Sequence, residues 1–174
     1  RPASREADPY NRYFARQARY RLPAELVRDT ALTISGLLNE TIGGRSVYPY
    51  QPEGYYDNCN QFGAGPAQYP TEQDHQQYRR GMYTFWKRSF LHPSMMAFDA
   101  PTREECVAER PRSNTPQQAL VLLNDPTYVE AAKVFAERIL REGGDDTDTR
   151  LDFAFEQAVC RQPTEAERNV LLQL

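Results

Sequence analysis

Residues 113–142 read SNTPQQALVLLNDPTYVEAAKVFAERILRE, and they contain two helix starts of the same kind, Thr115-Pro116 and Asp125-Pro126. An oxygen-bearing side chain before a proline suits an N-cap and first helical position. The oxygen can accept an orphan backbone N–H, and proline's missing N–H costs nothing there. Gln118 occupies the reach-back position of a capping box opened by Thr115. Ala119, Leu120, Leu122 and Leu123 then predict a largely buried helix. After Asp125, the apolar positions Val129, Ala132, Val134 (or Ala136) and Ile139 predict a helix to Arg141, ended by Gly143-Gly144.

The same reading extends in both directions. Toward the C-terminus, Leu151, Phe155, Ala158 and Val159 place a helix near Arg150 to Cys160. Arg161-Gln162-Pro163 breaks it, and Thr164 with Glu167 forms a second capping box ahead of Val170 and Leu171. Toward the N-terminus, PAELVRDTALTISGLLNE from Pro23 carries Leu26, Val27, Thr30, Ile34, Leu37 and Leu38 at helical spacing, with Gly36 weakening it only modestly. Asp8-Pro9 reads as one more helix start, with Tyr10, Tyr13, Phe14 and Gln17 on one face and Arg12, Arg16 and Arg19 on another. The class is therefore mainly α, with about six helices, a long tyrosine-rich loop and at most a small β element.

The loop runs from Asn39 to about Gln77, where glycines and prolines interrupt the pattern and Tyr48, Tyr50, Tyr55, Tyr56 and Tyr69 recur. Disordered segments are poor in aromatic residues, so an ordered loop lying against its own domain or a neighbour is expected. MYTFWKRSFLHPSMMAFDAP follows at 82–101. As a helix, Tyr78, Met82, Phe85 and Trp86 would share a face; as a strand, Tyr83, Phe85 and Lys87 would alternate with Met82, Thr84 and Trp86, and Gly81 with the Tyr-Thr-Phe-Trp run favours the short strand.

Composition narrows the function classes. The 174 residues fit one domain, 1–174, and carry a net charge of −3. Their mean hydropathy of −0.77 speaks against any membrane span in this segment. The basic residues are arginines except for Lys87 and Lys133, which favours fixed pairing with carboxylates and stacking on rings. Nucleic acid is not an expected partner, because there is no basic excess over the whole chain. Cys59, Cys106 and Cys160 lack the spacing of a zinc site or of covalent haem attachment, and their pairing state stays open. The opening RPASREADPY has no initiator methionine, so the chain reads as a piece of a longer protein.

Several separated strings, ARQARYRLPAELVRDTALTISGLL, IGGRSVYPYQP, YRRGMYTFWKRSF, FDAPTREEC, SNTPQQALVLLND and VCRQPTEAE, resemble in this order a C-terminal domain of unknown function. That domain is found in large secreted planctomycete proteins, often after a cytochrome c domain. The resemblance implies an extracytoplasmic setting, a preceding domain as partner, and haem on an upstream domain with no cofactor in this segment. It carries no activity.

The chemistry-bearing residues leave alternatives open. Asp99, Glu104 and Glu105 lie close in sequence, but no spacing identifies the carboxylate pair of a glycosidase. His75 and His92 are the only imidazoles, the first in a polar segment and the second before a proline, and neither is placed as a base for a serine or cysteine. His75, Asp74 and Asp57 lack a regular metal-ligand spacing, so no metal site is expected. A binding surface made of Tyr83, Trp86, Arg88, Asp99, Arg103, Asn114 and Gln117 is the stronger candidate, since rings offer apolar faces and guanidinium groups offer fixed donors. Against this, a lone tryptophan among Met82, Phe85 and Met95 is more often core, and core is the first reading of these apolar side chains. Arg79, Arg80, Arg88, Arg103, Arg110 and Arg112 surround Asp99 and the helix start at Thr115; Asp99 is expected to accept from an arginine, with Asn114 or Thr115 capping the helix and Gln117 or Gln118 tying the loop down. The leading expectation is an accessory or interdomain-packing module, associated with a polysaccharide or redox partner. The alternatives are a carbohydrate hydrolase completed by upstream residues and a purely structural part of a surface assembly.

Overall fold

The computed structural model describes residues 6–15, 20–56, 69–87 and 90–173. Six helices lie within them: α1 (Ala24–Ser35), α2 (Pro93–Ala97), α3 (Pro116–Asn124), α4 (Pro126–Glu142), α5 (Thr147–Val159) and α6 (Glu165–Leu172). α1 packs against α4, against α2 and against a 3-10 turn at Gly81–Tyr83; α4 also contacts α3 and α5, and α2 contacts α3. The fold is mainly α, as the periodicity predicts.

Local chemistry explains most of the helix ends. Asp125 accepts from the Thr127 N–H at 2.9 Å and starts α4. Asp146 does the same for α5 through the Thr149 N–H at 3.0 Å. The capping box at Thr164 and Glu167 forms in both directions, with Thr164 N–H to Glu167 Oε2 at 2.9 Å and Glu167 N–H to Thr164 Oγ1 at 3.3 Å.

Four expectations need correction. α1 ends before Gly36, whose φ of 84° makes it a left-handed C-cap, and Leu37 and Leu38 turn back to donate to the Leu32 carbonyl at 2.9 and 3.1 Å. No helix follows Asp8-Pro9 over the described residues 9–15. Asp8 instead accepts from the Arg12 and Tyr13 N–H groups, each at 2.9 Å, and Asn11 and Phe14 take left-handed φ values of 52° and 51°. Residues 82–87 form no strand: Val47 meets Thr84 in an isolated bridge, and Tyr83 closes the 3-10 turn. The fourth correction concerns α3. Its only buried residue is Gln118, while Leu120, Leu122 and Leu123 face outward.

The tyrosine loop lies on its own domain over its described residues. Tyr48 stacks on Phe85 with centroids 4.6 Å apart, Tyr69 meets Tyr48 edge-on at 5.3 Å, and Tyr55 and Tyr56 pack on Phe90 at 4.4 and 5.7 Å. The Tyr69 hydroxyl donates to the Pro49 carbonyl at 2.8 Å.

The core these elements enclose is unusually polar. Arg28 of α1, 2% exposed, donates to the Gln77 carbonyl at 2.5 Å and to Thr127 Oγ1 at 3.4 Å, tying the loop and α4 to α1. Arg79 spreads over the opposite end of the loop. It donates to the Arg45 carbonyl at 2.8 Å, the Thr41 carbonyl at 3.1 Å and the Gly43 carbonyl. Gly81 lets the 3-10 turn touch α1, because a Cβ there would lie 2.8 Å from Glu25 Cα. Its N–H donates to Asp29 at 2.6 Å.

His92 stands at the N-cap position of α2 and is a buried strut, 3% exposed. Its Nε2 lies 2.7 Å from the Tyr50 carbonyl, which can only accept, so Nε2 carries the proton. Nδ1 then accepts from the Ser94 hydroxyl at 2.9 Å. Burial, reinforced by the Arg28 charge, lowers the imidazole from its ordinary 6.5 to about 4. An unfolded chain therefore takes up this proton near pH 6.5 and the folded protein only near pH 4. The stability held by neutral His92 is complete above about 6.5 and is lost as pH falls through about 4, a total of about 3 kcal/mol. Urea unfolding from pH 7.5 to 4 should show this decline, and His92→Gln should flatten it; an unchanged slope in the variant would assign the acid sensitivity to other groups.

Candidate functional site

A cleft of about 270 Å³ lies between the start of α1 and the segment before α3. Three stretches line it: Tyr20 to Ala24 with Val27, Phe98 with Asp99, and Ala108 to Ser113 with Gln118. Two of these elements are fixed by the fold itself: α1 by its packing on α4, and the turn after α2 by Asp99, which adopts a left-handed φ of 59°.

Asp99 is the hinge of the polar network, but its partner is not an arginine. The Ser113 N–H donates to Oδ2 at 2.6 Å, and the Ser113 hydroxyl lies 2.9 and 2.8 Å from Oδ1 and Oδ2. Thr115 stands at the N-cap of α3 without a side-chain cap bond. Gln118 is also drawn away from capping. Its amide donates to Ser113 Oγ at 3.1 Å, and its Oε1 accepts from Arg21 at 3.0 Å. Of the arrangement expected around Asp99 only the tie through Gln118 forms: Ser113 takes the arginine's place on Asp99, and Asn114 and Gln117 point to solvent.

Arg110 and Arg112 are held by residues at and before the start of α1. Arg110 holds both oxygens of Glu25 from Nη1 at 2.9 and 3.1 Å. Arg112 lies over the Tyr20 ring, 4.1 Å from its centroid, and donates to the Tyr20 hydroxyl at 3.0 Å. Stacking on a ring presents the edge of a guanidinium outward while restricting its motion.

The other sequence candidates lie elsewhere. Tyr83 is half-buried under the Arg79 guanidinium, 3.9 Å from the ring, and its hydroxyl accepts from the Gly43 N–H at 2.8 Å. Trp86 is half-buried; Arg103 covers its ring at 4.0 Å, and its N–H donates to the Thr102 carbonyl at 3.4 Å. No ring contact joins Tyr83 to Trp86, so the two do not make one aromatic floor. Arg88 lies outside the described residues, as do Cys59 and Asp57. Cys106 and Cys160 are exposed free thiols. Among the described residues no three His, Cys, Asp or Glu side chains gather as a metal site, and no helix is long and apolar enough to cross a membrane.

Sequence reasoning finds Asp99, Arg110, Arg112 and Gln118 through their density in one short stretch. It misses Tyr20 and Arg21 as partners, because contacts between segments more than ninety residues apart leave no spacing to read, and it misses Ser113, whose bonds to Asp99 cross fourteen residues with no helical or strand period.

The chain belongs to the family described as PSD1, Protein of unknown function (DUF1553), whose model matches residues 1–174. No curated protein and no solved structure matches it.

Ser113 is thus expected to matter more than the flanking residues that looked equivalent in the sequence. Ser113→Ala removes both hydroxyl contacts and should cost about 2 kcal/mol, whereas Asn114→Ala and Gln117→Ala should stay within about 0.5 kcal/mol. Chemical denaturation of the three variants checks this ordering, and equal effects would contradict it.

Proposed function

We propose that this member of the DUF1553 family acts as an accessory packing module, docking the outer face of α3 on a neighbouring domain. The observation that carries the reading is the inverted burial of that helix. Gln118, Val121 and Asp125, spaced three and four apart, face the fold, while Leu120, Leu122 and Leu123 are 58%, 44% and 72% exposed. Surface helices ordinarily do the reverse. Burying a leucine contributes about 1.5–3 kcal/mol, so three of them on one short helix support a partner.

In its finer form the partner is the preceding domain of the same chain, in the extracytoplasmic setting that the planctomycete resemblance implies. Polysaccharide or redox-partner association belongs to the same proposal. The hydrolase reading gains no support from the geometry: Ser113 occupies Asp99, and Ser94 and His92 are buried while bonded to each other.

A photo-crosslinking residue in place of Leu123 in the intact protein tests the reading. It should yield a crosslink to the preceding domain, whereas the same residue at Ile42, an exposed position on the loop after α1, should not. Solvent-quenched label at both positions would sink the proposal.

A further inference from the structure

The cleft goes beyond this packing role, because its chemistry faces solvent beside α3 and not along its leucines. Among the described residues, its two best-placed cations have no acidic partner. Arg21 is held by the neutral amide oxygen of Gln118, and Arg112 by the ring and neutral hydroxyl of Tyr20. Asp99 lines the same cleft, but its oxygens are taken by the N–H and hydroxyl of Ser113. Arg110 is satisfied by Glu25. Arg21 and Arg112 therefore keep unused donors, since a guanidinium has five N–H groups and each of these spends one on a side-chain acceptor.

We propose that this cleft binds a small organic carboxylate, with Arg112 and Arg21 taking the anionic end and Val27, Pro23 and Phe98 contacting the body. A planar carboxylate matches the outward edge of a guanidinium stacked on a ring better than a tetrahedral anion does. Asp99 and Glu109 also line the cleft, and their repulsion of a dianion such as phosphate is about twice that of a monoanion at the same distance. α1 adds its positive end, because it begins at the cleft behind Pro23 with no side-chain cap. The volume of about 270 Å³ lies just under the range for drug-sized ligands, about 300–1,000 Å³, which sets the body at one sugar ring or one amino acid.

Both a uronic acid and an amino acid carry this chemistry, and calorimetric titration of the intact protein separates them. The probes are D-glucuronate, L-phenylalanine, D-glucose and inorganic phosphate. Saturable binding of glucuronate alone assigns a sugar acid, and of phenylalanine alone an amino acid; in either case glucose and phosphate should bind at least roughly tenfold more weakly. Arg112→Gln and Arg112→Lys should each weaken the carboxylate roughly tenfold or more, the lysine variant because it keeps the charge and loses the fork. Ala108→Trp, which fills the cleft from an exposed position, should abolish binding even where an arginine variant is poorly folded. Binding of neither carboxylate, phosphate binding as tightly as either, or carboxylate binding that survives Ala108→Trp in a folded protein would overturn the proposal. The crosslink at Leu123 does not depend on any of these outcomes.

Discussion

A guanidinium sealed inside the helical frame is the constraint on which this structure turns. Arg28 carries its charge into the space between α1, α4 and the loop, and burial lowers its pKa. Removing such a charge from water is costly unless geometry and nearby charge offset it. The Gln77 carbonyl and Thr127 hydroxyl receive its N–H groups, and the carboxylates Asp125 and Asp29 lie near enough to favour the cation. Each of those groups has a second task. Asp125 caps α4, Asp29 receives Gly81 of the 3-10 turn, and Gln77 belongs to the turn that leads into it. One buried charge therefore fixes the relative positions of two helices and the loop that crosses them, and it also favours a neutral His92.

Arginine repeats this work elsewhere in the fold. Arg79 gathers the carbonyls of Thr41, Gly43 and Arg45, and Arg138 donates to the Ile34 carbonyl at 2.8 Å, tying α4 to the last turn of α1. A planar group with several fixed donors can satisfy loop carbonyls that no strand or helix reaches. This explains how a loop of nearly forty residues stays ordered over its described parts without a sheet. The aromatic packing of Tyr48, Tyr69 and Phe85 supplies the apolar side of the same arrangement.

What the sequence reveals follows how local the physics is. The starts at Asp125-Pro126 and Thr164/Glu167 are legible because cap and capped N–H lie within three residues. Asp8-Pro9 has the same grammar, yet the left-handed Asn11 and Phe14 turn the chain before a helix can propagate. Gln118 stands at a capping-box position, but Ser113 and Arg21 offer it tertiary bonds that the local rule does not contain. In the candidate site, Asp99 and its arginines announce themselves by density, whereas their actual pairing depends on Tyr20 and Ser113 across the fold. Periodicity marks Leu120, Leu122 and Leu123 as apolar and is silent on what covers them.

A polar interior and an apolar outer helix fit together as one design: buried arginines hold α1 and α4 rigid, and α3, anchored by Gln118, presents its leucines outward. Side-chain footprinting of the intact protein by hydroxyl radicals measures that claim most directly. Leu120, Leu122 and Leu123 should be oxidised much more slowly than Ile42, which is 81% exposed and comparably apolar. Oxidation of Leu123 at the rate of Ile42 would show the α3 face open to water and contradict a docking role.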